Sequence, residues 1–412
     1  MKLFFKKRIF ALLAVYVICF ISFAYGDEHS EKGHDGHEDH KCTNPKHHHH
    51  GDDKGDGHGH SQAAHHKLAN GGEWGYLNPE FSIIGNFITE FSDYKGNSNR
   101  GRLRVRELEA AFQASLLENF RVNAIWSMEQ EYIDNHSTMF YHLEELYGVV
   151  TDLPFDSEGM IGRRFVRFGA LNPVHPHERP FADTPLALAN LFGEHSWYDD
   201  GASLSVPVGE FFGAPVRNRF SYFRGRNFGL NHDHSHGHEE EEHHESHEDV
   251  HGPIRWGGNV YLNRITSEIE VGDKSHVDLG YSVAFDEGGD NNLHGLDLTY
   301  HNYGISGFEE LVWQSELFYA DIDTSDSEPF GMYSMVQLIL DDKWDFGGRY
   351  DWSEAPGEGS KSEWAITPFA TYHFNHSMYG RVQYRYREML DDHEPENTLF
   401  LQFVVELGSH SH

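Results

Sequence analysis

From about Pro79 to the end of the chain, apolar and polar residues alternate in segments of roughly ten residues, separated by clusters of Gly, Asn, Asp and Ser. Phe120, Val122, Ala124, Trp126 and Met128 fall on one face of such a segment, with Arg121, Asn123 and Ser127 on the other. Val277, Leu279, Tyr281, Val283 and Phe285 repeat the device against Asp278, Gly280, Ser282 and Ala284. So do Trp344, Phe346, Gly348, Tyr350 and Trp352, and near the end Leu399, Leu401, Phe403, Val405 and Leu407. Tyr384 and Tyr386 alternate with Gln383, Arg385 and Arg387. A period of two is the signature of strands with two different faces.

Soluble sandwiches alternate as well. Three features point to a membrane barrel instead. The segments reach the roughly 9–11 residues that cross a bilayer. Their polar face carries charges and glycines, as a wet lumen does, and Tyr, Trp and Phe gather near segment ends, as interfacial girdles do. Strands in lipid must pair every backbone amide, which requires closure. The expected fold is all-β: a transmembrane antiparallel up-and-down β-barrel of about 16 strands, roughly 14–18, preceded by a disordered His-rich tail. With both termini in the periplasm, the two longest connections, 171–199 and 226–253, fall together on the outside, the asymmetry expected of such barrels.

The first residues have a different texture. Lys2, Lys6, Lys7 and Arg8 precede the apolar run Ile9–Ala24, and Ala24-Tyr25-Gly26 supplies small residues for cleavage before Asp27. Residues 1–26 therefore read as a secretory signal peptide, with an uncleaved anchor helix as the other reading. Segment 27–70 is His, Asp, Gly and Lys with almost no large apolar residue, too poor in apolar surface to bury a core. It is expected to hang in the periplasm below a barrel formed by 71–412.

Composition narrows the function. The 412 residues carry 66 acidic groups against 32 Lys plus Arg, a formal charge of −34. Nucleic acid is excluded as a partner, because phosphates need basic residues. Only the N-terminal run is apolar and long enough for a helix in the membrane, which excludes a helical transporter. Neither a nucleophile elbow, nor H-E-x-x-H, nor a phosphate loop occurs, so no enzyme is expected.

The 33 histidines direct the chemistry. Twelve lie in 27–70, among them His47, His48, His49 and His50, beside the lone Cys42. A second tract lies in the 226–253 loop: His232, His234, His236 and His238, four glutamates, then His243, His244, His247 and His251. Neutral imidazole is a good ligand for Zn²⁺, Cu²⁺ and Ni²⁺, and carboxylates complete the shell. The bland reading is a solvated hydrophilic loop, but Asp and Glu alone would serve that purpose. A third group is His175 and His177 in the proline-rich connection 171–199, whose spacing points both to one side, with Glu178 or Asp183 as helper. That loop is expected to fold into the lumen and constrict it; the alternative is that both histidines merely bond within the loop.

The stretch Phe168-Gly-Ala-Leu-Asn-Pro-Val-His-Pro-His-Glu-Arg-Pro-Phe-Ala-Asp-Thr-Pro185, followed by Leu191-Phe-Gly-Glu194 and Asp200-Gly-Ala-Ser-Leu-Ser205, resembles a group of Gram-negative outer-membrane barrels described as zinc-regulated outer-membrane receptors or porin-like proteins. The likeness runs from Asn78-Pro-Glu-Phe-Ser-Ile-Ile-Gly85 to the ending Glu406-Leu-Gly-Ser-His-Ser-His412. Two departures stand out. Only a low-complexity tail precedes the first strand, where energised receptors carry a plug domain, and the chain ends in His412 rather than an aromatic residue. The expectation is an outer-membrane channel or receptor that binds divalent transition metal, zinc first and Cu²⁺ or Ni²⁺ as alternatives, and passes it to the periplasm. Its partners would be metal ions, outer-membrane lipid and a periplasmic metal-binding protein. The rival readings are a general diffusion porin with incidental His tracts, or a surface metal buffer with a closed barrel.

Overall fold

The alternation closes on itself. The computed structural model describes residues 79–408, apart from 96, 134–135, 226–253, 290, 323–327, 355, 357–361 and 389–393. The expected signal peptide, the 27–70 segment with His47–His50, and the 226–253 tract with His232, His234, His236, His238, His243, His244 and His247 lie outside the described residues.

Sixteen strands follow one another: β1 Glu80–Ser92, β2 Leu103–Leu117, β3 Phe120–Ile133, β4 His136–Leu153, β5 Ser157–Phe165, β6 Tyr198–Phe211, β7 Ala214–Phe223, β8 Val260–Glu270, β9 Ser275–Asp286, β10 Asn291–Asn302, β11 Glu310–Ile322, β12 Phe330–Ile339, β13 Trp344–Glu354, β14 Ser362–Asn375, β15 Met378–Glu388 and β16 Glu396–Gly408. Each pairs antiparallel with its sequence neighbours, and β1 closes on β16, from Ser82↔Gly408 to Ser92↔Thr398. No edge is left to be satisfied, the condition for strands in lipid. The large apolar side chains of one face, among them Trp126, Phe220, Ile366, Val382 and Leu401, are exposed on the outer surface. The other face is turned inward and largely polar, with Asn86, Ser282, Asp351, Thr371 and Gln402 buried.

The expected strand number and order agree with this barrel, and the strand ends that flank the two long connections, at Phe165 and Tyr198 and at Phe223 and Val260, lie at the same barrel end, opposite the start of β1 and the end of β16. Most strand ends shift by three residues or fewer from the sequence reading, and two shift further. The strand expected near 159–170 stops at Phe165, because Val166, Phe168 and Leu171 leave the wall and pack inside the barrel. The strand expected from 254 begins at Val260. Ile254 instead donates its N–H to Leu191 O, and the Trp256 ring stacks on Trp197 at 5.1 Å. Both segments obey apolar patterning, but their partner is the inner loop rather than a neighbouring strand.

That loop is where the interior sits. Residues 166–197 turn into the lumen and carry the helix α1, Leu186–Phe192. Its Leu and Ala residues are good helix formers, and it ends at Gly193, whose φ of 83° suits glycine. Phe168, Leu171, Phe181, Leu188, Phe192 and Trp197 join inward residues of the wall in one buried apolar cluster. Small wall residues make the room. A Cβ on Gly295 would stand 2.6 Å from the Phe168 ring, and one on Gly331 would stand 2.8 Å from Ala187 Cβ.

Candidate functional site

The inner loop is braced before it meets the wall. Asn172 donates its amide to Val166 O and Trp197 O and accepts from Trp197 N–H, tying the two ends of the loop together. Arg179 donates to Val174 O at 3.0 Å and to Ser196 Oγ at 2.6 Å. These bonds hold the proline-rich segment 172–180 in one shape, so that its side chains arrive at defined places.

His175 and His177 arrive at β2. His175 Nδ1 lies 3.0 Å from Glu109 Oε2 and 3.5 Å from Glu144 Oε2. His177 Nδ1 lies 3.2 Å from Glu107 Oε2 and 3.8 Å from Glu109 Oε2. Among the described residues, Glu107, Glu109, His175 and His177 form a fully buried group whose four ligand atoms lie within 4.8 Å of one another. The expected helpers are different residues. Glu178 is exposed, although its backbone N–H bonds His175 O, and it does not belong to this group. Asp183 is taken instead by polar groups of β13 and β15: Arg349 Nη2 and Arg385 Nη1 each stand 3.0 Å from its carboxylate, and Gln383 Nε2 stands 2.6 Å away. Carboxylates from the wall therefore replace carboxylates from the loop.

Two β-bulges lie beside those carboxylates. In the β1–β2 ladder the register passes from Asn86↔Glu107 to Phe87↔Val105, leaving Arg106 as the extra residue. In the β3–β4 ladder it passes from Ile125↔Glu145 to Trp126↔Leu143, leaving Glu144 extra. A bulge re-aims side chains and breaks the period of two. Arg106 thus reaches the loop at Ala182 O while Glu107 and Glu109 remain inward. Glu144 and Glu145 are both buried, where strict alternation would send one of them to lipid. Glu107 and Glu109 keep the alternation, with Leu108 exposed between them, and an inward acidic pair does not by itself announce the histidines it meets. The only local signal is the run Arg104-Val-Arg-Glu-Leu-Glu109, which carries more charge than a lipid-facing alternation allows.

Burial by itself would lower the pKa of His175, but the facing Glu109 carboxylate more than offsets it and raises the pKa well above the ordinary value. Burial likewise opposes, and Glu107 outweighs it, at His177, whose pKa is raised. The wall carboxylates thus favour the charged, imidazolium form of both rings. Two nitrogens and two carboxylate oxygens also match the donor set of a tetrahedral zinc site. A metal would have to displace the imidazole protons.

Elsewhere the loop is fastened all round the barrel. Gly169 N–H bonds Ser282 Oγ on β9, Leu171 N–H bonds Glu316 on β11, and Asn190 bonds Ser353 and Glu363 on β13 and β14. Tyr379 on β15 donates to His177 O. His195, 3.2 Å from Glu129 on β3, has its pKa raised to about 9, chiefly by that carboxylate. The segment therefore spans the lumen from wall to wall. Beside it remains a cavity of about 300 Å³ bordered by Arg104, Arg106 and Arg385 and, among the acids, by Glu129, Glu131 and Glu194.

The barrel has parallels among solved structures. The chain superposes on a loop-deletion mutant of OmpT, an outer-membrane protein of Vibrio cholerae, with a TM-score of 0.51 and 10% identity, covering 80% of this chain and 99% of that one. An anion-selective porin from Comamonas acidovorans gives 0.51 at 9% identity, with the same coverage of each chain. The fold is that of an outer-membrane porin. Salmonella typhi OmpF, in complex with daunomycin, matches at 0.50 and 11% identity over 80% of this chain and 97% of that one. In sequence, an uncharacterized protein of Aquifex aeolicus (strain VF5) is 25% identical over 396 residues, spanning 81% of this chain and 79% of that protein. No protein-family model matches the chain.

Proposed function

We propose that this porin-like barrel is a passive diffusion channel of the outer membrane, in which the 166–197 loop sets the size and charge of what passes. One observation carries this reading. The loop is bonded to β2, β9, β11, β13, β14 and β15 at once, and the space beside it is lined by charged side chains rather than closed by apolar ones. A fixed crossbar with a polar gap beside it admits small hydrophilic solutes and resists large or apolar ones. The net charge of −34 favours cations within that path. No catalytic step is assigned to the site.

A second reading has its own support. The buried Glu107–Glu109–His175–His177 group offers N₂O₂ ligation, so divalent transition metal, zinc foremost, is among the species the channel handles. In this reading the His tracts concentrate metal and the loop group binds it in transit. The competing explanation of the same atoms is a set of ion pairs that pins the loop to β2. Planar-bilayer recording of the purified protein tests both readings. Stable ohmic conductance with a cation-favouring reversal potential in a KCl gradient is the expected result, and a sealed bilayer refutes the channel. Block by micromolar Zn²⁺ supports the metal reading, and indifference to Zn²⁺ at every concentration removes it.

A further inference from the structure

On the opposite mouth, at the barrel end where β1 begins and β16 ends, β9 begins and β10 ends. His276 and His301 are direct register partners there, and their rings stack at 4.5 Å with an interplanar angle of 13°. Both face the lumen. In β9 the even positions Ser282 and Ala284 are fully buried, while Tyr281 and Phe285 are exposed on the outer surface, so His276 and Asp278 share the inward face. In β10 Asp297 and Thr299 are buried on the face that His301 continues.

We propose that His276, Asp278 and His301 form a second transition-metal site on the lumenal wall, with Glu310 as the residue that orients His301. The ligand atoms of the three lie within 4.8 Å of one another, and the groups are half-buried rather than sealed. A tetrahedral ion with bonds of about 2.0–2.2 Å would draw the ligand atoms together by about an ångström, and because imidazole lone pairs lie in the ring plane it would also turn the two stacked rings out of parallel, a change of side-chain torsions alone. Glu310 is the second, independent observation. Its Oε1 lies 2.6 Å from His301 Nδ1, which leaves Nε2 facing Asp278 at 3.9 Å. A carboxylate holding one ring nitrogen while the other faces an acid is the arrangement that fixes the tautomer and raises ligand basicity in metal-bound histidines. The field agrees with a cation. Glu268 and Glu270 on β8 are the register partners of Asp278 and His276. Three protein ligands leave a fourth position for water or an exchanging ligand, so this site releases its ion more readily than a closed four-residue site does.

The assignment is independent of the metal reading of the loop group. The test must resolve single residues, because the chain holds 33 histidines. The full chain in detergent is treated with diethylpyrocarbonate across a series of Zn²⁺ concentrations, and each histidine is read by mass spectrometry. His276 and His301 should be protected together, at one common midpoint. His301→Ala should abolish protection of His276, and Glu310→Gln, which keeps an acceptor but loses the charge, should raise the midpoint roughly tenfold. Heat-modifiable gel migration verifies that each variant forms the barrel, and Asp278→Asn serves if His301→Ala does not. Protection of His276 that survives in His301→Ala, or equal modification of both rings at saturating zinc, overturns the site. Should the stacked rings react too slowly without zinc, anomalous diffraction at the zinc edge decides: a peak within bonding distance of a ring nitrogen of His276 and of His301 and of the Asp278 carboxylate upholds the site and none overturns it. Conductance without protection would keep the channel and sink this site; protection without conductance would do the reverse.

Discussion

Asp183→Ala is the substitution that most directly asks whether the inner loop sets the channel. The Asp183 carboxylate accepts from Gln383 Nε2 at 2.6 Å and stands 3.0 Å from both Arg349 and Arg385. Removing one partner of a buried charge pair costs about 3–5 kcal/mol when the other is left uncompensated. Here each arginine keeps a second carboxylate, Asp351 at 2.8 Å from Arg349 and Glu396 at 3.2 Å from Arg385. The lower end, about 3 kcal/mol, is therefore the expected loss, or about two powers of ten in the ratio of seated to released loop. The loss falls on the loop and not on the barrel, because Asp183 belongs to no strand and the ladders remain paired. Single-channel recording should show larger conductance with added open-state noise, while heat-modifiable migration on gels stays as in the parent. Asp183→Asn, which keeps shape but loses charge, should fall between the two. Conductance, noise and ion selectivity all unchanged in Asp183→Ala would refute the idea that this anchor holds the constriction.

Three further outcomes are expected. In Gly295→Ala the new Cβ meets Phe168, which is itself packed against Phe192 at 5.7 Å and cannot give way. Overpacking of this kind costs about 1–3 kcal/mol and should make 166–197 more sensitive to limited proteolysis; equal cleavage rates would argue against a fixed loop. His195, with its pKa raised to about 9 chiefly by Glu129, contributes loop stability fully below the unfolded value of about 6.5 and loses it as pH rises to about 9. Open-channel noise should therefore grow through that window and flatten in His195→Gln, and a pH-independent parent would contradict it. His175→Gln/His177→Gln should abolish zinc block while conductance persists. It is a cleaner test than alanine, which strips the buried Glu107 and Glu109 of their polar partners.

The alternation of faces was legible because its cause is local: lipid on one side and lumen on the other act on each residue where it stands. Strand number, strand order and the placing of both long connections at one end follow from that pattern alone. So does the pairing of His175 with His177, a matter of two-residue spacing in a proline-rich loop. What those histidines meet was decided in three dimensions. Glu107 and Glu109 lie on a strand some seventy positions away, at a separation of 70 for His177 and Glu107, and a bulge at Arg106 alters which neighbours share the inward face. Asp183 looked like a ligand beside the histidines, yet it is 166 residues from Arg349 and 202 from Arg385, and the closed barrel brings all three together. Ile254 and Trp256 read as the start of a strand, because packing against an inner loop asks for the same apolar residues as a strand in a wall. Periodicity reports the environment of each face; which groups confront one another across a lumen depends on closure and register, which no short window of sequence contains.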